Sequence, residues 1–215
     1  VIVIDFFHWP HQGDWRFDEK YWSRDAVKAM TDELHAMGTK VMVSVWPSVD
    51  KRSENYYEME QKALMSTTDV GSVQTYDYEG DCGTVDFFNP EAQEFVWSKC
   101  KQNYRDWGID LFWLDNSEPD STTYDFENYR YYTGRGSKVG CEYPKKYVEA
   151  FYNGQEAEGD HEAVNLCRSA WVGSQKYRTL VWTGDVQSNF ESFKDQVISG
   201  QNLSLIHISE PTRPY

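Results

Sequence analysis

Short apolar runs alternate along the chain with longer stretches whose apolar residues recur every three or four positions. The short runs are Val1–Asp5, Lys40–Val45, Ile109–Leu114, Ala163–Cys167 and Leu180–Trp182. They are rich in β-branched and aromatic residues and lack polar alternation, which predicts strands buried on both faces, as in a parallel sheet. Between them, Arg24–Met37 places Ala26, Val27, Met30, Leu34 and Met37 on one helical face, and Gly38 supplies the stop. A second helix is predicted from Ser53, carrying Tyr56, Tyr57, Met59, Ala63 and Leu64. Asn89-Pro90-Glu91 starts a third, with Asn as cap and Pro in the first turn, and Gly108 closes it after Trp107. Pro144–Glu158 is helical, and Glu191–Ser199 starts a last helix. Asp69–Asp86, rich in Gly, Asp and Tyr, is a long excursion from this alternation, and Ser121–Gly140 is a second. The loop His8–Trp22 carries Asp14-Trp15-Arg16-Phe17-Asp18, expected to cover a cleft.

This alternation predicts right-handed parallel βα units and an α/β fold. A doubly wound sheet would show a Gly-rich turn after its first strand. Here that position holds Asp5-Phe6-Phe7-His8, which is bulky and stiff. Polar or aromatic residues end several strands instead: Asp5, Trp46, Asp115, Arg168 and Asp185. An enzyme barrel gathers its working residues at that end of its strands. The expected architecture is therefore a partial (β/α)8 TIM barrel, with five units legible. No internal repeat is visible.

Composition narrows the possibilities. At 215 residues and 40% hydrophobic, the chain can bury a real core, yet a whole barrel typically takes about 250 residues. It opens on Val1-Ile2-Val3-Ile4 with no Met and no basic leader, as expected of a segment cut from a longer chain. No run approaches the ~20 apolar residues of a membrane span. The net charge of −14 repels a phosphate backbone, so neither nucleic acid nor membrane is an expected partner. The aromatic content of 16% suits a core and also a site that stacks flat rings. Cys82, Cys100, Cys141 and Cys167 form no CxxC pair. No metal site or cofactor is expected, and four free thiols point to a reducing, cytoplasmic compartment. Leu203–Arg213 reads LSLIHISEPTR, which resembles the translation of a sequencing adapter, so native sequence is expected to cover 1–202 and a non-native tail 203–215.

Asp115 ends the apolar run Ile109–Leu114, where a carboxylate is held rigidly enough to serve as a nucleophile, or simply caps the next turn. Glu118 follows three residues on. Asp185 follows Trp182-Thr183-Gly184, where the tryptophan is expected to desolvate the carboxyl and raise its pKa for an acid role, and where a plain turn aspartate is the alternative. Two such carboxylates on different strand ends suit glycoside hydrolysis. Arg168 needs acidic partners, with both carboxylates as candidates and Asp5 as another. Trp46 reads as a pocket wall or as core. His8, His11, His35 and His161 form no metal-like grouping, and His35 is expected to be solvated or capping.

Four segments together resemble glycoside hydrolase family 31. WLDNSEP (Trp113–Pro119) is similar to its nucleophile motif, VWTGD (Val181–Asp185) to its acid/base segment, RSAWVGSQ (Arg168–Gln175) to its sugar-binding arginine stretch, and IVIDFFHW (Ile2–Trp9) to the segment whose aspartate binds the non-reducing sugar. The resemblance covers Val1 to Asn202 and places this chain at barrel strands two to six. It implies Asp115 as nucleophile and Asp185 as acid/base of a retaining α-glycosidase. It implies Asp5, Phe6, Phe7, Trp46, Trp113, Glu118, Arg168 and Trp182 around an oligosaccharide or glycoside substrate. Phe6-Phe7 resembles the bulky version found in α-xylosidases, with α-glucosidase or a non-catalytic carbohydrate-binding barrel as alternatives. The family's His-Asp-Ile-Gly segment is not found before residue 203. The isolated chain is expected to be inactive.

Overall fold

The computed structural model describes residues 1–118 and 127–207. Its centre is a parallel sheet of β1 (Ile2–Ile4), β2 (Val41–Val45), β6 (Leu111–Leu114), β9 (Asn165–Cys167) and β10 (Thr179–Val181), in that spatial order. Every neighbouring pair is parallel. Sheet order follows chain order with no reversal, so all crossovers wind the same way, as in a barrel rather than a doubly wound sheet.

The connecting helices form where the apolar spacing placed them. α1 (Arg24–Ala36) is capped by Ser23, whose hydroxyl accepts from the Ala26 amide. α3 (Pro90–Asn103) is capped by Asn89 with proline in its first turn. Gly108, at φ 99°, turns the chain back toward β6. α5 (Tyr143–Ala157) packs Tyr143, Tyr147 and Phe151, all fully buried, against Phe87 and Phe112. Tyr147 donates to the Val45 carbonyl at 2.9 Å, pinning the helix to the end of β2. α6 (Phe190–His207) continues beyond the expected Ser199 and across the boundary placed at Asn202. Residues 208–215 of the expected tail lie outside the described residues, as do 119–126 of the second excursion.

Several expectations are corrected. The excursion Asp69–Asp86 is a folded insert. It supplies β4 (Thr75–Asp77) and β5 (Asp81–Thr84), which join β3 (Ser48–Asp50) in an antiparallel sheet of order β3-β5-β4 inserted after β2. The second excursion contains the hairpin β7 (Arg130–Tyr131) and β8 (Gly134–Arg135), followed by the short α4 (Gly136–Val139). α2 spans only Tyr56–Gln61, because Ala63 takes a positive φ of 52° that ends the helix. β1 is not buried on both faces. It is an edge strand, and Ile2 and Val3 are exposed. Asp14–Asp18 is no lid: Trp15 and Phe17 are core residues, and the Trp15 indole donates to the Trp46 carbonyl. His35 is solvent-exposed in the last turn of α1, as expected, and also pairs with Asp110 at 2.8 Å.

Candidate active site

Parallel register brings the ends of the strands together. Leu114 pairs with Cys167 and Cys167 with Val181, so Asp115, Arg168 and Trp182 emerge side by side. On the other side Leu114 pairs with Val45, which sets Trp46 beside Asp115. The Asp115 amide donates to the Val45 carbonyl at 3.0 Å. That carbonyl also accepts from Tyr147, so both of its lone pairs are used.

Arg168 organises the site. Its Nη1 donates to Asp115 Oδ1 at 3.1 Å, its Nη2 to Asp185 Oδ2 at 2.6 Å, and its Nε lies 3.4 Å from Glu118 Oε2. The planar fork of arginine is the side chain suited to holding three carboxylates at once. Partial burial works against the guanidinium charge, but the hydrogen bonds to Asp185 and Asp115 outweigh it and hold the pKa above the ordinary arginine value. One cation faces three carboxylates, leaving surplus negative charge in the cluster. Asp115 is buried, whereas the Asp185 side chain is 83% exposed. Trp182 therefore does not desolvate Asp185. It packs edge-on against Trp113 at 5.2 Å and lies against the Arg168 guanidinium at 5.8 Å.

A second cluster stands over the ends of β1 and β2. Phe7 packs on Phe6, Phe6 stacks on Trp46 at 5.8 Å, and Trp46 stacks on Tyr78 at 5.3 Å. Tyr78 sits at the β4–β5 turn of the insert and carries no signal in the sequence that would have marked it. Phe7 has a φ of 67°, a left-handed conformation that points to local strain. Asp5 is not a partner of Arg168. Its carboxylate accepts from the Phe6 amide, and its carbonyl lies 2.7 Å from Nδ1 of the buried His8. The indole nitrogens of Trp46 and Trp113 are buried without a protein hydrogen-bond partner.

The loop after Asp115 is tied on both sides. Asn116 donates to Tyr76 and Ser48 of the insert, and Ser117 bonds Ser169 next to Arg168. Sequence reasoning missed Ser48, Tyr76 and Ser169. Among the described residues no group of His, Cys, Asp and Glu side chains could hold a metal ion, and no helix is long and apolar enough to cross a membrane.

Comparison with known proteins gives a consistent picture. The model of the glycosyl hydrolases family 31 TIM-barrel domain matches residues 1–210. The chain is 47% identical over 208 residues to an uncharacterized family 31 glucosidase of Pseudescherichia vulneris, covering 97% of this chain and 39% of the relative. It is 34% identical over 226 residues to alpha-xylosidase A of Aspergillus niger, covering 93% of this chain and 30% of that protein. Among solved structures, a GH31 alpha-xylosidase from a soil metagenome, complexed with xylose, matches with a TM-score of 0.89 at 48% identity, covering 95% of this chain and 30% of that one. The chain thus spans 30–39% of the length of these relatives.

Proposed function

The chain belongs to glycosyl hydrolase family 31 through its TIM-barrel domain, and from this premise we propose that it carries the catalytic pair of a retaining α-glycoside hydrolase acting on terminal α-xylosides. One observation carries the reading: Arg168 holds Asp115 and Asp185 on adjacent prongs of one guanidinium. Retaining hydrolysis needs its two carboxyls about 5–5.5 Å apart. Buried Asp115 is the nucleophile. It attacks the anomeric carbon as the bond to the leaving oxygen breaks. Asp185, once released from Arg168 and protonated from the solvent it faces, gives that proton to the leaving oxygen. It then takes a proton from the water that hydrolyses the glycosyl-enzyme. Surplus negative charge around Arg168 stabilises the oxocarbenium-like transition state.

The xyloside preference rests on the Phe6–Trp46 stack, whose bulk fits the space a glucose hydroxymethyl would need, and on the relatives described as α-xylosidases. The glucosidase of Pseudescherichia vulneris supports a second reading, α-glucosidase activity. In this proposal the chain covers barrel strands two to six, native sequence runs to Asn202, and the isolated chain is inactive because its sheet is open at β1 and β10.

The test uses a full-length enzyme carrying this segment: the parent, or the soil-metagenome relative with its matched segment exchanged for residues 1–202. Asp115→Asn and Asp185→Ala abolish turnover of p-nitrophenyl α-xyloside while sugar binding persists. Retained turnover in Asp115→Asn would refute the assignment, and faster cleavage of the α-glucoside than of the α-xyloside would move the substrate to the second reading.

A further inference from the structure

We propose that the antiparallel insert is part of the catalytic apparatus, with Ser48, Tyr76 and Asn116 acting as positioning residues for the Asp115 carboxylate; this rests on the nucleophile role proposed above. The residues from Leu114 to Ser117 are fixed one after another. The Leu114 carbonyl accepts from the Arg168 amide at 3.2 Å, and the Asp115 amide donates to Val45 at 3.0 Å. Asn116 takes a φ of 47°, a left-handed conformation that asparagine tolerates better than most residues. Its Nδ2 donates to Tyr76 Oη at 3.1 Å and to Ser48 Oγ at 3.3 Å, and Ser48 and Tyr76 are themselves hydrogen-bonded. Ser117 Oγ accepts from the Ser169 amide at 3.0 Å.

The two anchors differ in origin. Ser117 ties the loop to the barrel wall through the residue after Arg168, and Asn116 ties it to the insert. Ser48 lies on β3 and Tyr76 on β4, the two outer strands of the β3-β5-β4 sheet, so the asparagine reads the relative placement of both. A shift of the insert moves Asn116 and, one peptide away, Asp115. The insert therefore sets how far the nucleophile projects, in addition to lining the mouth of the site with Tyr78. A misplacement of about 1 Å in a reacting group costs on the order of a hundredfold in rate.

The test compares Tyr76→Phe, Ser48→Ala and Asn116→Gly in the full-length enzyme. Asn116→Gly accepts the left-handed backbone and loses both donations, while Tyr76→Phe and Ser48→Ala remove one partner each and leave the backbone residue unchanged. Expected is a fall in kcat of about ten- to a hundredfold with KM within twofold, and a matching fall in the rate at which a 5-fluoro-α-xylosyl fluoride labels Asp115, whose carboxylate displaces fluoride. In the 215-residue chain, Tyr76→Phe should speed hydrogen exchange at the Asp115 amide without lowering the melting temperature by more than a few degrees. Wild-type kcat and labelling rates in Tyr76→Phe and Asn116→Gly would overturn the proposal and leave the nucleophile assignment standing. Turnover surviving Asp115→Asn would remove the nucleophile assignment itself.

Discussion

Arg168 and Asp115 emerge from adjacent parallel strands and meet at 3.1 Å, the arginine donating from the prong next to the one that holds Asp185. A lysine at 168 keeps the charge but cannot span three carboxylates, because its ammonium is a single point on a flexible stem. Arg168→Lys should therefore lose nearly as much as Arg168→Ala, with kcat/KM down about a hundredfold in the full-length enzyme. A lysine variant within threefold of wild type would show that charge, not the fork, is what the site uses.

His8 and Asp86 should oppose one another between about pH 4 and 6. Burial lowers His8 from 6.5 to about 4, outweighing the Asp5 carbonyl that favours its protonation. Below 6.5 the unfolded chain binds a proton that folded His8 refuses, so stability falls as pH drops toward 4. Burial raises Asp86 from 3.8 to about 6, despite the Tyr132 and Phe88 amides that favour its charge. The folded chain then binds a proton the unfolded chain does not, so stability rises as pH drops from 6 to 3.8. Each effect reaches about 3 kcal/mol and the two nearly cancel. Urea midpoints at pH 4, 5, 6 and 7 should show Asp86→Asn losing stability toward acid relative to wild type, and His8→Gln gaining it. Parallel curves for both variants would count against this account.

The parallel sheet was legible because each strand is a local apolar run, and the end-of-strand residues Asp115, Arg168 and Asp185 follow from where those runs stop. The insert was not legible for a physical reason. Its strands are three or four residues long, too short for alternation to show, and Ser48 finds its partner at Thr84, far along the chain. The same holds for side-chain pairs. His35 bonds Asp110, and Asn116 bonds Tyr76, across separations that no local pattern records. Asp14–Asp18 misled because its charges look like a loop while its alternate residues, Trp15 and Phe17, point inward.

Gly154 should tolerate no side chain, although it lies inside a helix. A methyl there would meet Cε2 of Trp97 at 2.1 Å, and Trp97 is held edge-on by Phe112 and Phe151. Helix propensity alone favours alanine by about 1 kcal/mol. Overpacking costs about 1–3 kcal/mol or more and wins here, because a wedged indole cannot step aside. Thermal melts should show Gly154→Ala destabilised, and Trp97→Leu combined with it should recover more than additivity allows. A Gly154→Ala variant that melts at or above wild type would mean the two helices part easily.

Phe6 should decide between pentoside and hexoside. Its ring lies within 13° of the Trp46 plane, Trp46 is backed by Tyr78, and the Trp46 carbonyl is held by the Trp15 indole. A ring supported from behind is a wall, not a flap. A hydroxymethyl group pressed against it must be excluded or must displace the whole stack. Removing the wall gives back the contact energy of about one small group, roughly 1–3 kcal/mol, or about 10- to 200-fold in selectivity. Phe6→Ala in the full-length enzyme should lower kcat/KM for p-nitrophenyl α-xyloside, raise it for the α-glucoside, and shift their ratio by at least tenfold. Tyr78→Ala, which removes the backing but leaves the wall, should shift the ratio in the same direction by less. If Phe6→Ala lowers both substrates equally, the ring supports sugar binding in general, and selectivity lies with Phe7, whose ring packs 4.1 Å from it.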